Sequence, residues 1–493
     1  QQNLESIHFF GGELIALATL LVILLVSLIA PDRHKRSYSS LLAFVGLSAI
    51  AYRLYTVGIQ FPQETIFSGF LAADPMSILF KTIFLLATLI VTLMVLDSTD
   101  IADRHTPEFF IFLLTIFVGM SLLGGGLHLL IIYLGLELVS LPSYVLAGFY
   151  KSDHGSSEAG IKYLLYGALA GGTFLYGATL LYGLSGSFTL EGIGAYIAQT
   201  NNTIGVVTAL TLLLVGIGYK CSFFPMHMWV PDVYQGAPTA VAGFLSTAPK
   251  AAGFALLIRM SMNFVPAIAE NAALNLNIPV FFFIIAAITM TIGNLSALLQ
   301  QNIKRLLGYS TIAHVGYMMM GYSLIGTEQQ YMESGFSAIS FYLIIYTVMN
   351  LGAFLVVIAL DREWLDDFDG IFYRAPLAAV SMAIFLFSLT GLPPLAGFVG
   401  KFYLFAALVQ TGISFYYWLA IIGVLNSVVS LFYYANVLRH MFLTEPENEE
   451  PIALPRVSAA LMSVLALAVV GLGVYWSQVV VFTQDFMVLA GLS

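Results

Sequence analysis

Charge is what this sequence has least of. Only 9% of its 493 residues are Asp, Glu, Lys or Arg, 18 basic and 27 acidic, whereas a soluble domain carries about 25%. A soluble chain of this length could not clothe its surface with so little polar material. That excludes an ordinary soluble enzyme, a nucleic-acid binder and a disordered chain. With 59% hydrophobic residues, a polytopic membrane protein remains. Cysteine is nearly absent: Cys221 alone makes no internal disulfide and ligates no iron–sulfur cluster. Also missing are the GxxxxGK(S/T) phosphate loop (Gly400-Lys401 is followed by Phe402), the GxSxG nucleophile turn and the HExxH zinc helix. Nothing in the chain suggests that it carries electrons, hydrolyses a nucleotide or cleaves a bond.

What is there is one apolar run after another. Long windows fall at 9–30, 40–60, 76–97, 107–124, 127–150, 157–184, 203–227, 236–262, 276–299, 302–324, 331–360, 375–409, 414–438 and 457–485. They predict an all-α polytopic membrane protein of about 14 transmembrane helices. The first run has no basic region before it and no clear cleavage site, so it reads as a mature helix. The window 375–409 exceeds the ~20 residues of one straight span and contains Gly391-Leu392-Pro393-Pro394. Eleven basic residues fall in alternate connections on one side: Arg33, Lys35, Arg36, Arg104, Lys151, Lys304, Arg305, Arg362, Arg374, Arg439 and Arg456. Arg53 and Arg259 fall at helix ends on the other. The positive-inside rule makes the first side cytoplasmic and puts both termini outside. The acids Asp361, Glu363, Asp366, Asp367 and Asp369 read as a solvated loop face.

Five lysines remain inside apolar windows: Lys81, Lys162, Lys220, Lys250 and Lys401. Lys81 lies near a window start and reads as snorkelling. The acid deepest in an apolar run is Glu137. A charge at the bilayer centre costs roughly 2.5–3.5 kcal/mol, and four or five together on the order of 10 kcal/mol unless paired or hydrated. Such charges are either structural ion pairs or a polar path. The set of Glu137, Lys162, Lys220, Lys250 and Lys401 favours a path. A lysine among apolar groups and other cations can load and release a proton near neutral pH, whereas a Na⁺ site asks for several oxygen ligands. Glu158 and Lys162 are four apart and share a helix face. His314 sits near mid-membrane and reads two ways, as a proton relay or as a satisfied core histidine.

Proline marks the helix breaks. Pro225, in Lys220-Cys221-Ser222-Phe223-Phe224-Pro225, removes a donor and clashes with the carbonyl of Cys221. Pro393 and Pro394 do the same to Leu389 and Thr390, just before Lys401. Pro142, five residues after Glu137, and Pro249, directly before Lys250, are expected to distort their helices too. Irregular backbone at membrane depth is tolerated only beside protein or water. The two strongest breaks fall in the seventh and twelfth windows, and an odd offset reverses the direction of the second helix. This is the pattern of two inverted five-helix repeats. The expected organisation is a three-helix segment over 1–105, a first unit over 106–262, a second, inverted unit over 263–440 and a C-terminal helix over 441–493.

These residues also resemble a known family. The run Lys220 to Pro238, KCSFFPMHMWVPDVYQGAP, closely resembles the signature of the antiporter-like subunits of bacterial respiratory complex I, the N type in particular. LGLELVSLP around Glu137, EAGIKY from Glu158 to Tyr163 with Lys162 within it, NIKRLLGYS from Asn302, HVGY from His314 and GFVGKFY around Lys401 match in order. The L type is longer, and the M type typically carries a glutamate where Lys401 stands. The resemblance implies fourteen helices with two inverted five-helix units. It implies an ion pair of Glu137 with Lys220, a central Lys250, a terminal Lys401, a Glu158–Lys162 pair beside the first break, and His314 between Lys250 and Lys401. The implied activity is proton translocation, driven by quinone reduction elsewhere in the complex. M-type and K-type neighbours, the bilayer of the bacterial inner membrane and no nucleic acid are the implied partners. Quinone, iron–sulfur clusters and FMN sit on other subunits, and this chain holds no cofactor. Mrp-type cation/proton antiporters share the fold and the lysines, and a non-transporting scaffold would use the charges as structural glue. Lys81 and the Gly124-Gly125-Gly126 turn match no feature of the family.

Overall fold

The computed structural model describes residues 2–488 apart from 61, 62, 151, 275, 447 and 449; Lys151, counted above, lies outside the described residues. The helices are α1 (Gln2–Phe9), α2 (Gly11–Ile29), α3 (Asp32–Gly58), α4 (Pro75–Met94), α5 (Thr106–Gly125), α6 (Leu129–Ala147), α7 (His154–Ser185), α8 (Leu190–Gln199), α9 (Thr203–Cys221) and α10 (Val230–Gly236). They continue as α11 (Thr239–Glu270), α12 (Ile278–Ala297), α13 (Ile303–Tyr322), α14 (Gln329–Leu360), α15 (Ile371–Arg374), α16 (Pro376–Thr390), α17 (Ala396–Val409), α18 (Ser414–Leu443), α19 (Arg456–Val474) and α20 (Ser477–Val488). One antiparallel hairpin, β1 (Glu64–Ile66) with β2 (Leu71–Ala73), completes the described elements.

Among the described residues, twelve helices are long and apolar enough to cross a membrane, and each falls on one of the sequence windows. The windows 302–324 and 375–409 are filled by helices outside that set. The first is α13, which carries Lys304, Arg305 and His314. The second divides into α16 and α17, each too short to cross alone. The window 457–485 divides into α19 and α20. The hairpin and α8 had no counterpart in the apolar pattern.

Side chains cap the starts of many helices, as the lack of water partners in a bilayer demands. Asp74 accepts from Ser77 N at 2.8 Å, Asp153 from Ser156 N at 2.7 Å and Asn302 from Arg305 N at 3.1 Å. At the start of α6 the ring of His128 accepts from Leu130 N at 3.3 Å, packed against Phe70 and Phe188. Burial pushes this imidazole below its usual pKa. The interior is built around α11 and α14, which are buried along most of their length. On their outer faces α2 and α3 expose Leu25, Leu28, Ile29 and Leu41. Helices α12 and α13 cross closely because Gly293 backs onto Ala313 and Gly316 onto Met290, where a Cβ would meet backbone nitrogen at 2.5 and 2.4 Å.

Two helices are broken. Helix α9 ends at Ser222, whose φ is +67°, and the chain resumes as α10. Helix α16 ends at Gly391, φ +93°, and resumes as α17. Polar groups meet the backbone freed at each break. Thr289 Oγ1 accepts from Phe224 N at 3.0 Å, and Ser388 Oγ accepts from Gly397 N at 3.0 Å. Pro142 and Pro249, by contrast, break nothing: α6 and α11 run through them. In α11 the neighbours on every side hold the helix against the missing bond.

Three other expectations change. Lys81 does not snorkel. It is buried and pairs at 2.6 Å with Glu13 on α2, itself only 2% exposed. Nor is Arg259 a loose helix end. It is buried on α11, forks onto both oxygens of Asp74 and donates to Gly124 O at 2.9 Å. Burial works against the Asp74 carboxylate, but Arg259 and the Ser77 cap together hold its pKa below the usual value. The acidic loop after α14 is only partly a solvated face, because Glu363 binds Lys304 and Asp369 binds His440, each at 2.5 Å. The Gly124–Gly126 turn has a steric cause, since a Cβ on Gly125 would lie 2.8 Å from Ala72 O of the hairpin.

Candidate functional site

The two breaks gather the lysines. Lys220 lies in the last turn of α9 and donates to Ser140 Oγ of α6 at 2.8 Å. Lys250, on the unbroken α11, reaches the same break and donates to Ser222 Oγ at 2.6 Å. Its ammonium also lies 5.3 Å from the ring of Trp229 and 5.8 Å from that of Tyr234. At the second break Lys401 of α17 donates to the terminal carbonyl of α16, Thr390 O, at 2.9 Å and to Ser427 Oγ at 3.1 Å. Its ammonium sits 4.3 Å over the ring of Tyr317. Each break thus turns the negative end of a half-helix toward ammonium groups, a favourable arrangement for a cation. Lys220, Lys250 and Lys401 are 3%, 1% and 3% exposed.

His314 lies on α13 in a cage of tyrosines. Its Nδ1 meets Tyr342 OH at 2.7 Å and its Nε2 meets Tyr434 OH at 3.4 Å. Tyr317, whose ring covers Lys401, receives Asn294 Nδ2 on its hydroxyl at 3.1 Å. Tyr346 donates to Thr311 at 2.9 Å. Hydroxyls and one imidazole therefore lead up to Lys401.

Glu137 and Lys220 do not form the expected pair. Glu137 is half-buried and turns toward Tyr133 and Gly171, while Ser140, one turn further along α6, takes the ammonium. Glu137 remains within electrostatic reach of Lys220. Lys162 is not a buried charge either. Its side chain is 38% exposed and bridges Glu158 and Asp232, each at 2.6 Å. Arg305 holds the other oxygen of Asp232 at 2.5 Å. These residues and Lys304 line a polar cavity of about 550 Å³. Missed from the sequence were Ser140, Ser222, Ser427 and Asp232. Ser140 and Ser222 stand three and two residues from Glu137 and Lys220 in otherwise apolar runs, and that was their only signal; Ser427 has no charged residue near it in the sequence.

Residues 126–430 match the family model described as "NADH:quinone oxidoreductase/Mrp antiporter, TM". The "NADH-quinone oxidoreductase subunit N 2" of Sorangium cellulosum is 42% identical, over 97% of this chain and 96% of its own length. The chain belongs to the subunit N family of NADH-quinone oxidoreductases. A chain of the respiratory complex I of Thermus thermophilus superposes with a TM-score of 0.77 at 31% identity, covering 95% of this chain and 98% of that one. A chain of the Mrp complex of a Dietzia species superposes at 0.80 with 19% identity, over 99% and 98%, which speaks for a shared fold. The subunit N match spans Glu137 through Lys401. Asp74, Lys81 and Glu13 lie outside the segment matched by the family model.

Proposed function

We propose that this chain moves protons across the bacterial inner membrane as a membrane-arm subunit of a complex I-like quinone oxidoreductase. One contrast carries the reading. The basic residues Lys81, Lys162, Arg259, Lys304 and Arg305 each meet a carboxylate. Lys220, Lys250 and Lys401, more deeply placed, are in no ion pair among the described residues and donate to neutral oxygens instead. Breaking a buried ion pair costs about 3–5 kcal/mol. An ammonium held by hydroxyls and carbonyls has no such partner to abandon when it gives up its proton. Charges used as glue would be paired, so the contrast also speaks against a scaffold.

In this reading Ser140 and Ser222 hold the ammonium groups of Lys220 and Lys250 at the first break. Glu137 acts on Lys220 through its field, and the His314 cage links Lys250 toward Lys401. A change of one pKa unit takes about 1.36 kcal/mol, so a modest change in the field of Glu137 redistributes protons along the row. Glu158 and Lys162 line the polar cavity at one end. Fourteen passes, with units over 106–262 and 263–440 inverted about the two breaks, a leading segment over 1–105 and a final helix over 441–493, fit the equivalent placement of those breaks. The basic end of the bundle faces the cytoplasm and both termini face outward. The neighbours are M-type and K-type subunits. Quinone, iron–sulfur clusters and FMN belong to partner subunits.

The test is proton pumping by the reconstituted complex carrying Lys220→Ala or Glu137→Ala. Both variants assemble and lose coupled pumping; normal pumping by both refutes these roles. The Mrp-type alternative predicts Na⁺-dependent proton exchange without any quinone.

A further inference from the structure

Arg259 is the one buried basic residue on the same helix as Lys250. It lies nine residues further along α11, about 13.5 Å on and two and a half turns round, so the two side chains leave opposite faces. The contacts agree. Lys250 meets Ser222, Trp229 and Tyr234 at the first break, whereas Arg259 meets Asp74 at the start of α4 and Gly124 at the end of α5. No proline lies between the two, so this stretch of α11 turns as one rod. Its anchor points are themselves fixed. Asp74 is locked into a capping box with Ser77, and the turn after Gly124 is pressed against Ala72 of the hairpin.

We infer that Arg259 is a positioning residue for Lys250. Its fork on Asp74, with the Gly124 carbonyl, sets the rotation and height of α11 that keep the Lys250 ammonium on Ser222. A slip of one residue, about 100° of rotation, carries Lys250 away from the break. The fork on the reverse face forbids that slip, because both guanidinium arms are bound in one plane and no other orientation satisfies them. This also gives the N-terminal helices a role: they hold the back of the helix whose front carries the central lysine. The inference rests on Lys250 belonging to the proton path.

The experiment uses the whole complex in membrane vesicles. Three quantities are read for each variant: the amount of assembled complex, the proton flux per assembled complex, and the pH profile of that flux. Arg259→Gln and Asp74→Asn each lower the flux per complex toward that of Lys250→Ala and displace the pH profile, and the double variant is no worse than either single. Arg259→Lys keeps the charge but not the fork. It assembles and loses part of the flux, so it carries the test should Arg259→Gln fail to assemble. Wild-type flux and pH profile per complex in Arg259→Lys, with only the amount of complex changed, overturn the inference. Normal flux in Lys250→Ala removes the reading beneath it. Normal flux in the Arg259 variants beside a defective Lys250→Ala removes the inference alone.

Discussion

Ser222 allows the contribution of one hydroxyl to be separated from that of one backbone angle. It accepts from Lys250 Nζ at 2.6 Å in a fully buried site, and it holds φ at +67°. Ser222→Ala and Ser222→Gly both delete the hydroxyl. A hydrogen bond to a charged group is worth about 1.5–3 kcal/mol, and a barrier change of about 1.4 kcal/mol is tenfold in rate. Any step that needs Lys250 protonated and in place therefore slows by about 10- to 150-fold in both variants. Stability behaves differently. An L-residue in the left-handed region costs about 1–2 kcal/mol, which glycine avoids, less about 0.4–1 kcal/mol for its greater freedom in the unfolded chain. The glycine variant is thus more stable than the alanine variant by roughly 1 kcal/mol. The assay pairs proton flux per assembled complex in proteoliposomes with the thermal midpoint of the same preparations. Equal flux losses with unequal midpoints support the argument. A flux loss confined to the alanine variant, in step with its midpoint, would refute it, because backbone strain and not the hydroxyl would then govern Lys250.

Further outcomes are expected at two other positions. Lys81→Met alone strands the buried Glu13 carboxylate and costs about 3–5 kcal/mol, whereas Lys81→Met with Glu13→Leu comes close to neutral; thermal unfolding of the three proteins in detergent checks this. For His128, burial lowers the pKa in the folded chain, so the unfolded state binds more protons. Its contribution is fully present above the unfolded value of about 6.5 and is lost as the pH falls through the folded one. His128→Asn keeps a capping acceptor for Leu130 and removes that loss, so its midpoint falls less steeply than the wild type as the pH drops below about 6.5.

What the sequence made legible depended on whether the physics was local. Pro225 and Pro393-Pro394 announce breaks because a missing donor is a property of the residue itself. Pro142 and Pro249 carry the same chemistry and break nothing, because the packing around α6 and α11 decides, and packing is not written locally. Lys220, Lys250 and Lys401 stood out against apolar neighbours. Lys162 stood out equally, yet the fold places it in the polar cavity beside Asp232, seventy residues away. Lys81 and Arg259 looked like helix-end charges because their partners, Glu13 and Asp74, come from other parts of the chain. The tyrosines around His314 were invisible for a different reason: in an apolar window a tyrosine reads as one more hydrophobe, and its hydroxyl matters only once a partner is placed beside it.

On the proposed proton path, that cage would set a tempo. A neutral imidazole presents one N–H and one bare nitrogen, and each phenol owns a single proton. The run Tyr342–His314–Tyr434 therefore points one way or the other, like a row of arrows. A proton handed in at one end and out at the other leaves every arrow reversed. A second proton cannot follow in the same direction until the hydroxyls swing back and the ring exchanges its tautomer. On the proposed proton path such a segment would act as a turnstile and not as a pipe, passing one charge and then waiting to be reset.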